Sequence, residues 1–299
     1  MIIPPNLSPG DLVYISAPAK AIEESNVRTA QHTLESWGLR VQIAEHCLGR
    51  SHYFSGPDEA RRADLQQGID SPEVKAILCA RGGYGCIRLV ESLNWTPMIK
   101  HPKWLIGFSD VTVFHQKLSQ LKIASIHGIM PLGFNEGSFE AMETLKHALF
   151  GEPYFIAGPN CKENIRGQAS GELIGGNMSI VCSLLGTALS FDFEDKILFL
   201  EDVGEHIYKI DRMLYALKLN GVFQQIRGLI LGGFTEMEDT DIPFGKSIKQ
   251  LVLEQAQAVG IPVAFDFPVG HIQDNRALMF GRSVKLHVTE EQSTLNYLK

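Results

Sequence analysis

The feature that most constrains this chain is an alternation in its first 120 residues, where continuous apolar runs of strand length take turns with segments of helical period. Residues 11–18 read as a strand running into a turn. Residues 24–37 read as a helix closed by Gly38, and residues 39–44 as a second strand. A second helix is predicted over 57–68, with Pro57 in its first turn and Gly68 after its end, and a third strand over 74–80. Residues 84–93 read as helical; the apolar run at 104–107 is a fourth strand, and the spacing of Val111, Phe114, Leu118 and Leu121 predicts the helix after it. Strands this apolar are covered on both faces, and strand–helix–strand units cross over with a right hand. The expected first domain, residues 1–150, is therefore a doubly wound parallel α/β sheet.

From about Gly151 the texture changes. Pro153, Gly158, Pro159 and a polar stretch to Gly167 predict a linker over 151–168. Beyond it, short apolar runs broken by glycine (171–177, 197–202, 228–234, 262–267) alternate with helices predicted at 178–185, 208–219 and 244–258. Residues 283–288 alternate like a half-buried strand, and another short strand is expected after them. The second domain, 169–299, is expected to be a smaller α/β unit with a mixed, barrel-like sheet.

A chain of 299 residues with 44% hydrophobic and 20% charged residues can build two cored domains. Its formal net charge of -7 argues against nucleic acid or an anionic membrane as the main partner. The N-terminus shows no basic segment followed by an apolar one, and no apolar run is long enough to cross a bilayer, so the expected location is cytoplasmic. Five cysteines without regular spacing read as free thiols in a reducing compartment, and no paired Cys or His spacing suggests a structural zinc site. No metal and no cofactor is expected.

The chemistry concentrates at strand ends, where ligands of such sheets bind. In Gly107-Phe108-Ser109-Asp110, a serine stands where an apolar strand turns into a helix. That is the setting of a nucleophile elbow, and also of a helix N-cap. The second glycine of the G-x-S-x-G pattern is absent, its place taken by Val111. A serine nucleophile needs a base, and the base an acid to orient it. His271, flanked by Gly270 after an apolar run, is the leading base, with His127 its competitor. Glu201 and Asp202 end the apolar run 197–200 and are both acid candidates; the alternative is an N-cap for the following helix, and the two readings are compatible, with Glu201 working and Asp202 capping. The loop Arg81-Gly82-Gly83-Tyr84-Gly85 is a tight turn that could also cradle an anion or donate to an oxyanion.

Taken together, the segments 81–85, 106–112, 175–177, 198–202, 208–214 and 270–271 resemble the successive motifs of the LD-carboxypeptidase family, serine peptidases that include the microcin C immunity peptidases. The resemblance spans nearly the whole chain in the right order. It implies a flavodoxin-like (class I glutamine amidotransferase-like) N-terminal domain carrying Ser109. A swivelling β/β/α barrel-like C-terminal domain would carry Glu201 and His271, with the active site at the domain junction. It also implies oxyanion donors at the Asp110 and Gly83 N–H groups, a homodimer, and release of D-alanine from the L,D-bond of murein tetrapeptide. Arg81 and Tyr84 are candidate substrate contacts, Arg81 for the terminal carboxylate. The family usually carries a proline near residues 278–281, where this chain has Leu278-Met279-Phe280-Gly281, so a loop difference is expected there. Rival readings are a same-fold hydrolase of peptidyl-nucleotides or acyl-amidates, a non-catalytic flavodoxin-like binding module, and, with less to support it, a metal-dependent hydrolase.

Overall fold

The computed structural model describes residues 1–298. In chain order its elements are β1 (Leu12–Ser16), α1 (Glu24–Ser36), β2 (Arg40–Ile43), α2 (Asp58–Asp70), β3 (Val74–Cys79), α3 (Cys86–Leu89), α4 (Thr96–Lys100), β4 (Trp104–Gly107), α5 (Thr112–Gln120), β5 (Ser125–His127) and α6 (Phe139–Phe150). There follow β6 (Phe155–Gly158), β7 (Gly167–Asn177), α7 (Met178–Ser183), β8 (Lys196–Val203), α8 (Ile207–Leu219), α9 (Val222–Gln225), β9 (Gly228–Thr235), α10 (Ile248–Ala256), β10 (Val263–Ala264), β11 (Leu278–Phe280), β12 (Ser283–Val288) and β13 (Ser293–Tyr297). The chain divides into two compact units, Met1–Pro153 with Gln273–Gly281, and Tyr154–Ile272 with the C-terminal segment from Arg282.

The first unit is built on a six-stranded sheet in the order β11-β5-β4-β3-β1-β2. Its five parallel strands follow the flavodoxin-like order 2-1-3-4-5. β1 is buried at every position, as a strand covered on both faces must be. The second unit is a seven-stranded mixed sheet, β10-β9-β8-β7-β12-β13-β6. β7 to β10 run parallel, and β12, β13 and β6 extend the sheet antiparallel. β12 alternates exposed and buried residues, as its sequence predicts.

The domain boundaries differ from the sequence expectation in two places. Residues 155–158, expected as linker, pair with β13 as an edge strand. Residues 278–280, expected as a loop of the second domain, form β11 antiparallel to β5, with Leu278 opposite His127. The pairing satisfies the edge of the first sheet, which would otherwise expose unpaired backbone groups. Lys299, the last residue of the expected second domain, lies outside the described residues.

Other expectations shift for local reasons. Gly68 does not end α2, which runs on to Asp70. A Cβ at Gly68 would stand 2.7 Å from the Tyr14 ring, so the glycine serves close packing inside the helix. The helix expected at 84–93 shrinks to α3, after Gly85 at φ +146°. α10 begins at Ile248 rather than 244, where Ser247 and Gln250 form a capping box. The five cysteines are free, four of them buried. Among the described residues no helix is long and apolar enough to cross a membrane.

Candidate active site

β4 ends at Gly107, and the chain enters α5 through a 3-10 turn, Ser109–Val111. Ser109 sits in the left-handed region at φ +63°. That conformation costs a non-glycine residue about 1–2 kcal/mol, and such outliers collect at functional sites. The neighbouring contacts hold it there. A Cβ at Gly107 would lie 2.9 Å from Val111 Cγ2, so the buried Val111 fills the space against the strand end. His115, one turn into α5, lies 2.9 Å from the Gly107 carbonyl through Nε2 and 2.8 Å from Ser125 Oγ through Nδ1. Burial lowers its pKa to about 4, so the ring is neutral at physiological pH. The carbonyl can only accept, which puts the proton on Nε2.

The glycine loop after β3 lies against this turn. A Cβ at Gly82 would stand 3.0 Å from Ser109 Cβ, 3.2 Å from its Oγ and 3.4 Å from the Asp110 nitrogen. Gly83 is exposed at φ +104°. The N-cap residues of the 3-10 turn and of α5 are Phe108 and Val111, and neither makes a side-chain cap hydrogen bond. Asp110 is buried, and its Oδ2 accepts the Cys86 N–H at 2.8 Å, tying the residue after the serine to the far end of the glycine loop. Burial raises the Asp110 pKa, against hydrogen bonds that favour its charge. The loop is braced from behind by Arg61, whose buried guanidinium donates to the carbonyls of Pro18, Gly56 (3.1 Å) and Gly85 (3.4 Å) and lies 4.5 Å from the Phe54 ring centroid. Sequence reasoning missed Arg61, since an arginine in a polar helix gives no sign of being swallowed. Arg81 donates from Nη1 to the Ala21 carbonyl at 3.1 Å, and Tyr84 is exposed.

In the second unit, Glu201 near the end of β8 has no exposed surface. Its Oε2 lies 2.5 Å from His271 Nδ1 and accepts the His271 backbone N–H at 3.2 Å. Gly270 makes the approach possible: at φ +114°, a Cβ there would lie 2.9 Å from both Glu201 Cβ and Oε2. Gly270 bridges Gly233 of β9, and Thr235 Oγ donates to the His271 carbonyl at 3.1 Å. Burial works against the charged ring, but the hydrogen bond and charge of Glu201, then the charges of Asp202 and Glu236, carry the His271 pKa above 6.5.

Asp202 does not cap α8, whose N-terminus follows His206. Its Oδ2 accepts the Ser179 N–H at 2.9 Å at the start of α7, and its Oδ1 accepts from Asn177 Nδ2 at 2.9 Å. Parallel pairing of β7 and β8 puts Asn177 beside Glu201 in register, which brings its neighbour within reach of α7. Gly175 is needed there because a Cβ would fall 1.9 Å from the Phe199 carbonyl oxygen. His127 is fully buried among the rings of Phe108, His115 and Phe280, a core position in the first sheet. Among the described residues no group of three His, Cys, Asp or Glu is disposed to hold a metal ion.

The model of the LD-carboxypeptidase N-terminal domain matches residues 13–128, and that of the C-terminal domain residues 170–286. The "Probable murein peptide carboxypeptidase" of Bacillus subtilis is 31% identical over 98% of this chain and 93% of its own length. The murein tetrapeptide carboxypeptidase of Pseudomonas aeruginosa is 30% identical over 92% of each chain. The crystal structure of muramoyltetrapeptide carboxypeptidase from Oxalobacter formigenes superposes with a TM-score of 0.88 at 27% identity, over 96% of this chain and 99% of that one. With both of its halves matched and relatives of this similarity along nearly its whole length, the chain belongs to the LD-carboxypeptidase family.

Proposed function

We propose that the protein is a serine carboxypeptidase that releases the terminal D-alanine of murein tetrapeptide by cutting the L,D-peptide bond before it. The observation that carries this reading is Ser109 held at positive φ on a strand-to-helix turn, in a member of a family whose relatives are named for murein peptides. In this reading Ser109 is the nucleophile, His271 its base and Glu201 the acid that orients the base.

The steps follow from the chemistry of the groups. Glu201 accepts the Nδ1 proton of His271, which leaves Nε2 as the lone-pair nitrogen. Nε2 takes the hydroxyl proton as Ser109 Oγ attacks the carbonyl between an L-centre and D-alanine. The buried carboxylate then stabilises the imidazolium. The backbone N–H groups of Asp110 and Gly83 hold the oxyanion, each donor worth about 3–4 kcal/mol of transition-state stabilisation in comparable sites. The imidazolium gives its proton to the leaving amine, D-alanine departs, and water repeats the attack on the acyl-enzyme. The family resemblance further supports a homodimer as the working form.

Incubation with murein tetrapeptide, followed by mass spectrometry of the products, tests the reaction. Release of D-alanine and tripeptide by the wild type, and none by Ser109→Ala, is the expected result. Labelling by a fluorophosphonate that persists in Ser109→Ala would reject Ser109 as the nucleophile.

A further inference from the structure

A carboxypeptidase must recognise a free terminal carboxylate, and the sequence offers Arg81 for that task. The structure directs attention to a different cation. Lys20 follows β1 at the carboxyl end of the first sheet, and the glycine loop follows the adjacent β3. In a sheet of this strand order, the gap between those two strands is the switch point where ligands bind.

The loop itself relates Lys20 to Ser109. A Cβ at Gly82 would stand 3.2 Å from Ser109 Oγ, and one at Gly83 would stand 3.0 Å from Lys20 Cβ and 2.9 Å from the Tyr53 hydroxyl. The serine and the lysine thus flank the same two residues. The Lys20 N–H donates to the Gly82 carbonyl at 3.3 Å, fixing the segment along the loop. Ala21 is pinned on both sides, by its own N–H on the Tyr53 carbonyl at 3.2 Å and by Arg81 Nη1 on its carbonyl at 3.1 Å. The Lys20 ammonium lies 5.0 Å from the Tyr53 ring centroid, and Tyr53 is 43% exposed. Among the described residues of this unit no carboxylate pairs with Lys20, although the chain carries an excess of seven acidic charges.

We propose that Lys20, with the Tyr53 hydroxyl beside it, forms the subsite for the C-terminal carboxylate of the peptide substrate. The proposal rests on Ser109 being the nucleophile. One residue spans at most about 3.6 Å, so the carboxylate of the leaving amino acid must bind close to the serine. The glycine at 83 leaves open the space between the tyrosine hydroxyl and the lysine stem. Arg81 acts on this subsite indirectly, by holding the backbone that carries Lys20.

The test compares murein tetrapeptide with the same peptide ending in D-alaninamide, using the full-length protein. The quantity read is the ratio of kcat/KM for acid over amide. Lys20→Ala is expected to lower that ratio by about 10- to 100-fold, the scale of a lost hydrogen bond to a charged group. Lys20→Arg keeps the ratio within about tenfold of the wild type, since the charge remains. Tyr53→Phe lowers it by less than Lys20→Ala. An unchanged ratio in Lys20→Ala, or an equal fall on both peptides, overturns the proposal. Binding measured calorimetrically in the Ser109→Ala background separates it from the proposed reaction. If the wild type cuts neither peptide, the reaction assignment fails. The subsite then stands only if adding Lys20→Ala weakens acid-peptide binding at least tenfold and leaves amide-peptide binding alone.

Discussion

His271 Nδ1 lies 2.5 Å from Glu201 Oε2, and the same oxygen accepts the His271 backbone N–H. The carboxylate therefore fixes both the ring and the chain that carries it. Oε1 of Glu201 makes no hydrogen bond among the described residues, so the known partners of this buried group all belong to His271.

The tightness of that pair gives a steric prediction. Gly270→Ala adds a methyl 2.9 Å from Glu201 Oε2, at a backbone angle that L-residues avoid. Displacement of the ring by about 1 Å is expected to lower kcat on murein tetrapeptide about 100-fold. D-alanine release reads the loss, and circular dichroism checks that the fold persists.

The raised pKa of His271 gives a pH prediction. A base acts only when unprotonated, so the acidic limb of kcat/KM should lie above pH 6.5. Glu201→Gln removes the negative charge that favours the imidazolium and should move that limb to lower pH while reducing the rate. The linked stability has the opposite sense to that of a paired carboxylate: it is fully present below the unfolded pKa of 6.5 and lost as pH rises through the higher folded value. Urea midpoints of wild type and Glu201→Gln across pH 5–8 check this; parallel curves would refute it.

Ser109 should trade stability for function. Ser109→Gly relieves the positive φ and is expected to stabilise the protein by about 1 kcal/mol while abolishing hydrolysis. Denaturant unfolding measures the gain. A loss of stability would show that the serine side chain contributes more to the fold than its backbone angle costs.

Asp110 couples the Ser109 turn to the glycine loop through the Cys86 N–H. Asp110→Ala leaves that buried donor unpaired and should cost about 1–3 kcal/mol of stability. It should also lower kcat more than it changes KM, because the oxyanion donors lose their mutual support. Asp110→Asn keeps an acceptor and should recover most of both effects. Equal losses in the two variants would count against the coupling.

Lys103 is a purely structural case. Its buried ammonium donates to the carbonyls of Gly68 (3.0 Å), Ile69 (2.9 Å) and Ser71 (2.5 Å) at the end of α2. Lys103→Met strands those acceptors and should destabilise the protein by about 2–3 kcal/mol with activity per folded molecule unchanged. Urea unfolding and an active-site titration give the two numbers.

Where the chain was legible, the signal was local. The apolar runs of β1, β3 and β4 announce buried parallel strands; Ser109 lies just past β4, Glu201 near the end of β8, and His271 in the loop between β10 and β11. Where it was not, a partner distant in sequence decided the outcome. Gly68 carries the local signature of a helix stop, but it lies inside α2 because Tyr14 packs against it. Leu278-Met279-Phe280 is too short an apolar run to announce a strand, and it becomes one only because the edge of β5 is there to receive it.

The sequence by itself determined the alternation of strand and helix and the division into two α/β parts, and it nominated Ser109, Glu201 and His271 as candidates. Periodicity and turn chemistry act over a few residues, so a single segment carries them. Only the tertiary structure decided that Glu201 meets His271 across 70 positions. Only it showed that Asp202 holds α7 rather than capping α8, and that Lys20 comes to lie against the glycine loop. Such meetings depend on strand order and register, which the distance along the chain does not encode.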